Sequence, residues 1–391
     1  MDFISEYKKY KKEIKCDFRK NYEVTEFFPG NSAFILFINN KSNSKEKYVL
    51  KLFPHPKRRI ERELSSFNTF DLEIKFNEFF TKKYLLKQKT PHIIGMFDHI
   101  KCSNLPKFIK KLNACINLVD QLNNNYVESY PSYCELIKQI ESGIIDKSYD
   151  MMILEYGGVD IYKYLSMMAN FLNITSHEVH DTQPFDVEAL IHKFVNILDR
   201  ILFQFIFTIA VIKKTHPTFT HGDLYPRNVV IQNIESYQDN EYVAYHFNNE
   251  IFYMPCNGSH LKIFDFEHSR LSGISNIASD VTKYLLLDEF DDFTDIYNFI
   301  VNLRTKINEI MISRPYWIKL YDRINDFIDI NFVDQSIEAI KYFSEFMGKN
   351  NLNAVRSTVK PAAEYLNSDI FDNFKKKPKN AVIIKHYNKQ T

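Results

Sequence analysis

Glycine is scarce in this chain, with 9 among 391 residues, and tryptophan occurs once. Loops that rely on several clustered glycines are therefore hard to build in it. The five cysteines (Cys16, Cys102, Cys115, Cys134 and Cys256) are odd in number and contain no CxxC pair. That spacing argues against a zinc site and a disulfide framework, and it fits a reducing compartment. Neither sign of charge is in excess: 50 Lys and Arg against 49 Asp and Glu leave a formal net charge of +1. Such a balance gives no strong nucleic-acid signal. The longest apolar run, "ILFQFIFTIAVI" at 201–212, is too short for a bilayer and is interrupted by Gln204. It reads as a buried helix, and no transmembrane segment is expected. The first residues, "MDFISEYKKYKKEIK", lack the apolar stretch of a signal peptide.

The remaining composition is globular: 45% hydrophobic and 25% charged, with 34 Phe and 24 Tyr making the interior strongly aromatic. Residues 1–20 read as a charged helical extension. Strand character follows: "AFILFINN", a polar turn, then "YVLKLF", whose Lys51 lies between apolar neighbours. Residues 59–88 read as helix, broken near Ser65–Ser66, and 90–102 as a strand pair around a turn. An insertion with helical pieces is expected at about 103–148, before the buried strand "YDMMILEYGG" at 149–158. The rest is mainly helical, with one long apolar helix over 186–214. Two short strands, "NVVIQN" and "LKIFDFE", flank an added hairpin that turns at Asn248–Asn249. From Ala278 onward helix is expected, ending in a basic tail.

Chemistry concentrates at "THGDLYPRNVV" (220–230) and "KIFDFE" (262–267). Asp223 and Asn228 are five apart on a loop after the long helix, and Asp265 follows an apolar strand. Phosphoryl transfer needs a base to take a hydroxyl proton and hard oxygen ligands for Mg²⁺. These three side chains supply both.

"HGDLYPRN" followed by "IFDFE" resembles the catalytic loop and metal motif of the protein-kinase-like superfamily. The resemblance covers about residues 22–374. It implies an α+β, two-lobed fold with a strand-rich N-lobe at 21–156 and a helical C-lobe at 157–374. The C-lobe would carry a hairpin insertion at about 234–260, and a basic tail would follow at 375–391. It also implies ATP and Mg²⁺ as cofactors, Asp223 as base, and Asn228 and Asp265 as metal ligands. Lys51 would contact the nucleotide's α- and β-phosphates. Its partner would be a helical glutamate: Glu73, with Phe76 and Phe80 at +3 and +7, is preferred to Glu78. Gly30 marks a weak phosphate-covering loop. "MMILEYGG" resembles the hinge, with Leu154 as gatekeeper, backbone groups of Glu155, Tyr156 and Gly157 for adenine, and Asp160 for the ribose. Asp280 would brace the catalytic loop.

There are departures. Gly222 stands where an Arg often precedes the base, and Glu267 replaces the glycine of the metal motif. The segment from Asp265 to Asp280 is short, which argues against an activation-loop switch. Tyr225 occupies the position of a lysine that contacts the γ-phosphate, leaving Arg227 as a candidate for that charge. These features also resemble choline and aminoglycoside phosphotransferases, where the acidic run at 285–295 would hold a cationic alcohol. The insertions and shortened segment resemble most the serine/threonine kinases of large cytoplasmic DNA viruses, including the poxvirus morphogenesis kinases. That resemblance implies protein substrates and a place in the host cytoplasm or the virion. A non-catalytic scaffold is the third reading.

Overall fold

Alternation writes the first sheet. Phe34, Leu36 and Ile38 are fully buried, while the residues between them are partly open. The computed structural model describes residues 3–10, 12–29, 33–56, 69–105, 107–108, 138–139, 141–178, 187–274, 292–314, 317–331 and 361–389. The chain folds as two units. One comprises Met1–Leu86 and Ile94–Tyr156; the other comprises Lys87–Ile93, Gly157–Asn276 and Leu286–Thr391.

Unit 1 opens with α1 (Phe3–Lys9), followed by β1 (Tyr22–Pro29), β2 (Phe34–Asn40) and β3 (Asn43–Pro56). Then come α2 (Thr69–Phe80), β4 (Met96–Cys102) and β5 (Ile145–Glu155). The strands form one antiparallel sheet in the order β1-β2-β3-β5-β4. The suspected break at Ser65–Ser66 and most of the expected insertion lie outside the described residues. Two readings are corrected here. β5 starts at Ile145, earlier than 149. Residues 90–102 contain one strand, not two. Pro91 has no N–H for a ladder, and the stretch around it is pinned by other bonds. The Thr90 and Thr208 hydroxyls meet at 3.0 Å, and Ile93 makes a single bridge to Ile263.

A third correction concerns the cysteines. Cys16 and Cys102 form a disulfide, 86 residues apart in sequence. The segment after α1 runs back to the end of β4, a long-range pairing that spacing alone does not reveal. Cysteine usage therefore no longer argues for a reducing compartment. Cys256 is a buried free thiol, and Cys115 and Cys134 lie outside the described residues.

Unit 2 has β6 (Val159–Asp160), α3 (Ile161–Glu178), α4 (Val187–Thr215), β7 (Val229–Ile234), β8 (Glu241–Phe247), β9 (Glu250–Pro255) and β10 (Gly258–Ile263). It continues with α5 (Asp292–Ser313), α6 (Ile318–Asn331), α7 (Ala362–Tyr365), α8 (Asp372–Lys375) and β11 (Val382–Tyr387). The centre is α4. It lies where the sequence predicts one long apolar helix, over 186–214, and at 29 residues it is long and apolar enough to cross a membrane, which the run 201–212 alone is not. However, 83% of its most apolar window is buried inside the protein. Phe205 stacks on Phe299 of α5 with ring centroids 3.9 Å apart, and Phe203 packs on Phe252 and Phe371. Burying each such ring stabilises the fold by roughly 2–3 kcal/mol. Gln204, the polar break in the run, is fully buried. Its amide accepts from the Leu261 N–H at 2.7 Å and donates to the Ser259 carbonyl at 3.1 Å, so β10 docks on α4 with its polar groups satisfied.

The hairpin forms as the sequence suggests. β8 pairs with β9 through a turn in which Asn248 takes φ +52°. The end of the chain does not remain a free basic tail. β11 adds to the hairpin, parallel to β8, in a sheet ordered β11-β8-β9.

Two imidazoles, the buried His92 and the part-buried His260, brace this unit. His92 Nδ1 lies 2.9 Å from the Leu261 carbonyl and Nε2 3.0 Å from the Tyr245 hydroxyl. Burial holds His92 well below its ordinary 6.5. Burial, then the Arg200 charge, pushes His260 down to about 3. Both rings are neutral when folded and gain protons near pH 6.5 only when unfolded. Their contribution is full above that value and is lost as pH falls toward the folded value. For His260 the loss by pH 5 is on the order of 2 kcal/mol. In an imidazole NMR titration of the folded protein, both rings should stay unprotonated from pH 7 to 5. A midpoint near 6.5 for either would contradict this.

Candidate active site

Among the described residues of unit 1, Lys51 is the lysine that the sheet buries. Lys51 lies in register with Ile35 and Met152 and is 9% exposed. A buried ammonium is costly unless paired. Its Nζ donates to Glu73 Oε1 at 2.8 Å and stands 5.5 Å from the Phe53 ring centroid. Glu73 reaches it because Phe76 and Phe80 are fully buried and turn that face of α2 inward. Glu78, the alternative, pairs instead with Lys82 at 2.9 Å among exposed side chains. Leu154 is buried opposite Met96. The Glu155 N–H donates to the Gly95 carbonyl at 2.8 Å, and the Gly95 N–H returns to Glu155 Oε2 at 3.1 Å. That closed pair commits the Glu155 N–H to Gly95. Tyr156 packs edge-on to Phe37, with Lys47 Nζ 5.3 Å from its ring centroid. Gly30 lies outside the described residues.

In unit 2, Asp160 directly precedes α3, and its Oδ1 accepts the Lys163 N–H at 2.9 Å. Asp160 therefore caps a helix. The loop 220–228 is laced to the segment 264–270. Thr220 and Arg270 exchange main-chain bonds of 3.0 and 2.7 Å, and the Phe264 N–H donates to the Asn228 carbonyl at 3.1 Å. The Ser269 hydroxyl donates to the His221 carbonyl, and His221 Nε2 bonds the Phe264 carbonyl at 3.0 Å. Gly222 has φ +83°, and a Cβ there would lie 2.5 Å from the His268 carbonyl oxygen. Only glycine fits this approach, which explains why no larger residue precedes Asp223.

Beneath the loop lies a residue that the sequence did not single out. Asp295, in the first turn of α5, accepts the His221 N–H at 2.7 Å and the Gly222 N–H at 3.0 Å. It is 1% exposed. Burial raises its pKa, opposed by the neighbouring His221 and the two N–H groups. Burial also lowers the pKa of His221. The brace was expected from Asp280, which lies outside the described residues. Of the acidic run at 285–295, Asp295 is turned into this contact. A cluster of five acids in that run hides which one faces inward.

The loop gathers two of the expected residues. Asn228, 5% exposed, donates through Nδ2 to the Asp223 carbonyl at 2.7 Å and to Asp223 Oδ2 at 2.8 Å. Both amide hydrogens are thus committed, and Oδ1 is the atom left to coordinate a cation. Asp265 follows β10 with φ +69°, and its carboxylate comes within 4.8 Å of that of Glu267. An amide oxygen and carboxylates are the donors Mg²⁺ takes, so the residues fit that ion. Arg227 donates through Nη2 to Asp223 Oδ1 at 2.8 Å and Oδ2 at 3.2 Å, with its guanidinium 4.8 Å from the Tyr225 ring centroid.

No protein-family model matches the chain. A protein of Acanthamoeba polyphaga mimivirus, "Putative serine/threonine-protein kinase R301", is 30% identical over 413 residues, which span 99% of both chains. A second mimivirus protein, "Putative serine/threonine-protein kinase R400", is 22% identical over 277 residues, or 68% of this chain and 52% of that one.

Replacing Asp295 with alanine removes the acceptor of the buried His221 N–H and of the part-buried Gly222 N–H. Leaving the His221 N–H unsatisfied should cost about 1–3 kcal/mol. Urea unfolding of Asp295→Ala should show this loss, and an unchanged midpoint would contradict the brace.

Proposed function

The chain belongs to the viral kinase-like family of these mimivirus proteins, and from that premise we propose that it transfers the γ-phosphate of ATP to Ser/Thr hydroxyls of protein substrates. The observation that carries the reading is the locked loop, in which Asn228 fixes the Asp223 carboxylate while its own Oδ1 stays available to a cation. Asp223 accepts the hydroxyl proton as the new O–P bond forms and the bond to the departing ADP breaks. Asn228 and Asp265 would hold Mg²⁺, which supplies charge neutralisation at the phosphate oxygens when bound. Glu73 holds Lys51 in one orientation, suited to the nucleotide's α- and β-phosphates. Asp295 and Gly222 set the main chain so that Asp223 and Asn228 are positioned before substrate arrives.

The paired Lys51 and fixed Asp223 favour an active enzyme over a scaffold. Commitment of Asp295 to the loop removes one acid from the pocket that a cationic alcohol would need, which favours protein acceptors over small ones.

Incubation with radiolabelled ATP and a mixed protein acceptor tests the reading. Wild type should transfer label in the presence of Mg²⁺. Asp223→Ala should lower the rate by about two to four orders of magnitude. No transfer by wild type, or equal transfer by the variant, would overturn it.

A further inference from the structure

We propose that Arg227 selects the acceptor by reading an acidic group beside the target hydroxyl, and uncovers the base as it does so. This rests on the kinase reading above and names the substrate class of the same site: Ser or Thr within an acidic protein segment.

The two oxygens of Asp223 have different neighbours. Oδ2 is held by the buried Asn228 at 2.8 Å, on the side where the amide's own oxygen is kept for a cation. A base needs an oxygen within hydrogen-bond reach of the acceptor hydroxyl. Oδ1 is the oxygen on the other side, and Arg227 Nη2 holds it at 2.8 Å. The Arg227 side chain is 63% exposed, so the acceptor meets the guanidinium before it meets the base. While the pair stands, Oδ1 is both screened by a cation and physically covered.

Arg227 is built to change partners. A guanidinium carries five N–H donors in a planar fork, and Asp223 engages one nitrogen, Nη2. The Tyr225 ring supports the plane at 4.8 Å. The remaining donors suit a carboxylate or phosphate on the incoming chain, bound by two parallel hydrogen bonds. An acidic acceptor exchanges one exposed ion pair for another, and such pairs are weak enough to open. A neutral acceptor must break the pair with nothing in return, and a basic one adds repulsion.

The surroundings place this selection in the fork and not in a broad basic surface. Arg227 acts electrostatically on the Tyr162 hydroxyl, and Lys306 Nζ lies 5.8 Å from the same ring's centroid. Lys306 is itself paired with Glu309 at 2.9 Å, and Glu309 and Asp160 also act on Tyr162. The local field is therefore mixed, and the acid on the acceptor has to sit within a few residues of its hydroxyl.

A positional peptide library phosphorylated with radiolabelled ATP tests the proposal. Wild type should favour Asp or Glu next to the target over Lys or Arg by about tenfold or more in kcat/KM. R227E should invert that order, and R227K should keep it with a smaller ratio. Because Arg227 is an exposed side chain, circular dichroism should show all three proteins folded alike. The same order of preference in wild type and R227E overturns the selection. So does an equal loss on every peptide with a raised KM for ATP, which would place Arg227 on the γ-phosphate. No transfer to any peptide by wild type overturns the kinase reading and the selection together, whereas transfer without inversion overturns the selection alone.

Discussion

One buried carboxylate fixes the loop on which the chemistry depends. Asp295 takes two consecutive main-chain N–H groups, those of His221 and Gly222, directly before Asp223. Neither donor has a strand or helix partner there, so without Asp295 both would lose their acceptor, the His221 N–H in a buried position. The second constraint is steric. The loop approaches the His268 carbonyl so closely that residue 222 has no room for a side chain. Together, an acceptor below and a carbonyl alongside hold the main chain. The Asp223 and Asn228 side chains then need only bond to each other.

Among the described residues, three buried polar groups show how each unit matches such groups to a donor or acceptor nearby. Lys51 has Glu73, Asp295 has the loop, and Gln204 satisfies β10. Breaking one partner of a buried pair is far more damaging than the pair is stabilising. Such arrangements therefore specify geometry more than they add net stability. Arg227 is the contrast: its side chain is exposed where it pairs with Asp223, and on the proposed reading it covers the oxygen that an acceptor would reach.

Much of this was legible in the sequence where the signal is local. The hairpin turn at Asn248 follows from two adjacent asparagines between alternating strands. The choice of Glu73 over Glu78 follows from phenylalanines three and seven residues on, because helical spacing decides which glutamate faces the sheet. Features set by contacts distant in sequence were not legible. Asp295 looks like its acidic neighbours until α5 turns it inward. Cys16 and Cys102 are joined only because the first segment folds back to β4. β11 carries a lysine-rich lead-in that resembles a solvated tail, yet the open edge of β8 provides a ladder for it. The committed N–H of Glu155 depended on a loop glycine, Gly95, that no motif marks.

The proposed nucleotide site needs a divalent cation held by Asn228 and Asp265. Thermal unfolding with ATP alone, Mg²⁺ alone and both together tests this most directly. A ligand that binds the folded state at 100 times its Kd stabilises it by about 2.7 kcal/mol. The account predicts a clear rise in Tm only when ATP and Mg²⁺ are both present, and loss of that rise in Asp265→Ala. No rise at saturating Mg-ATP, or an equal rise with ATP in the absence of any divalent ion, would contradict it.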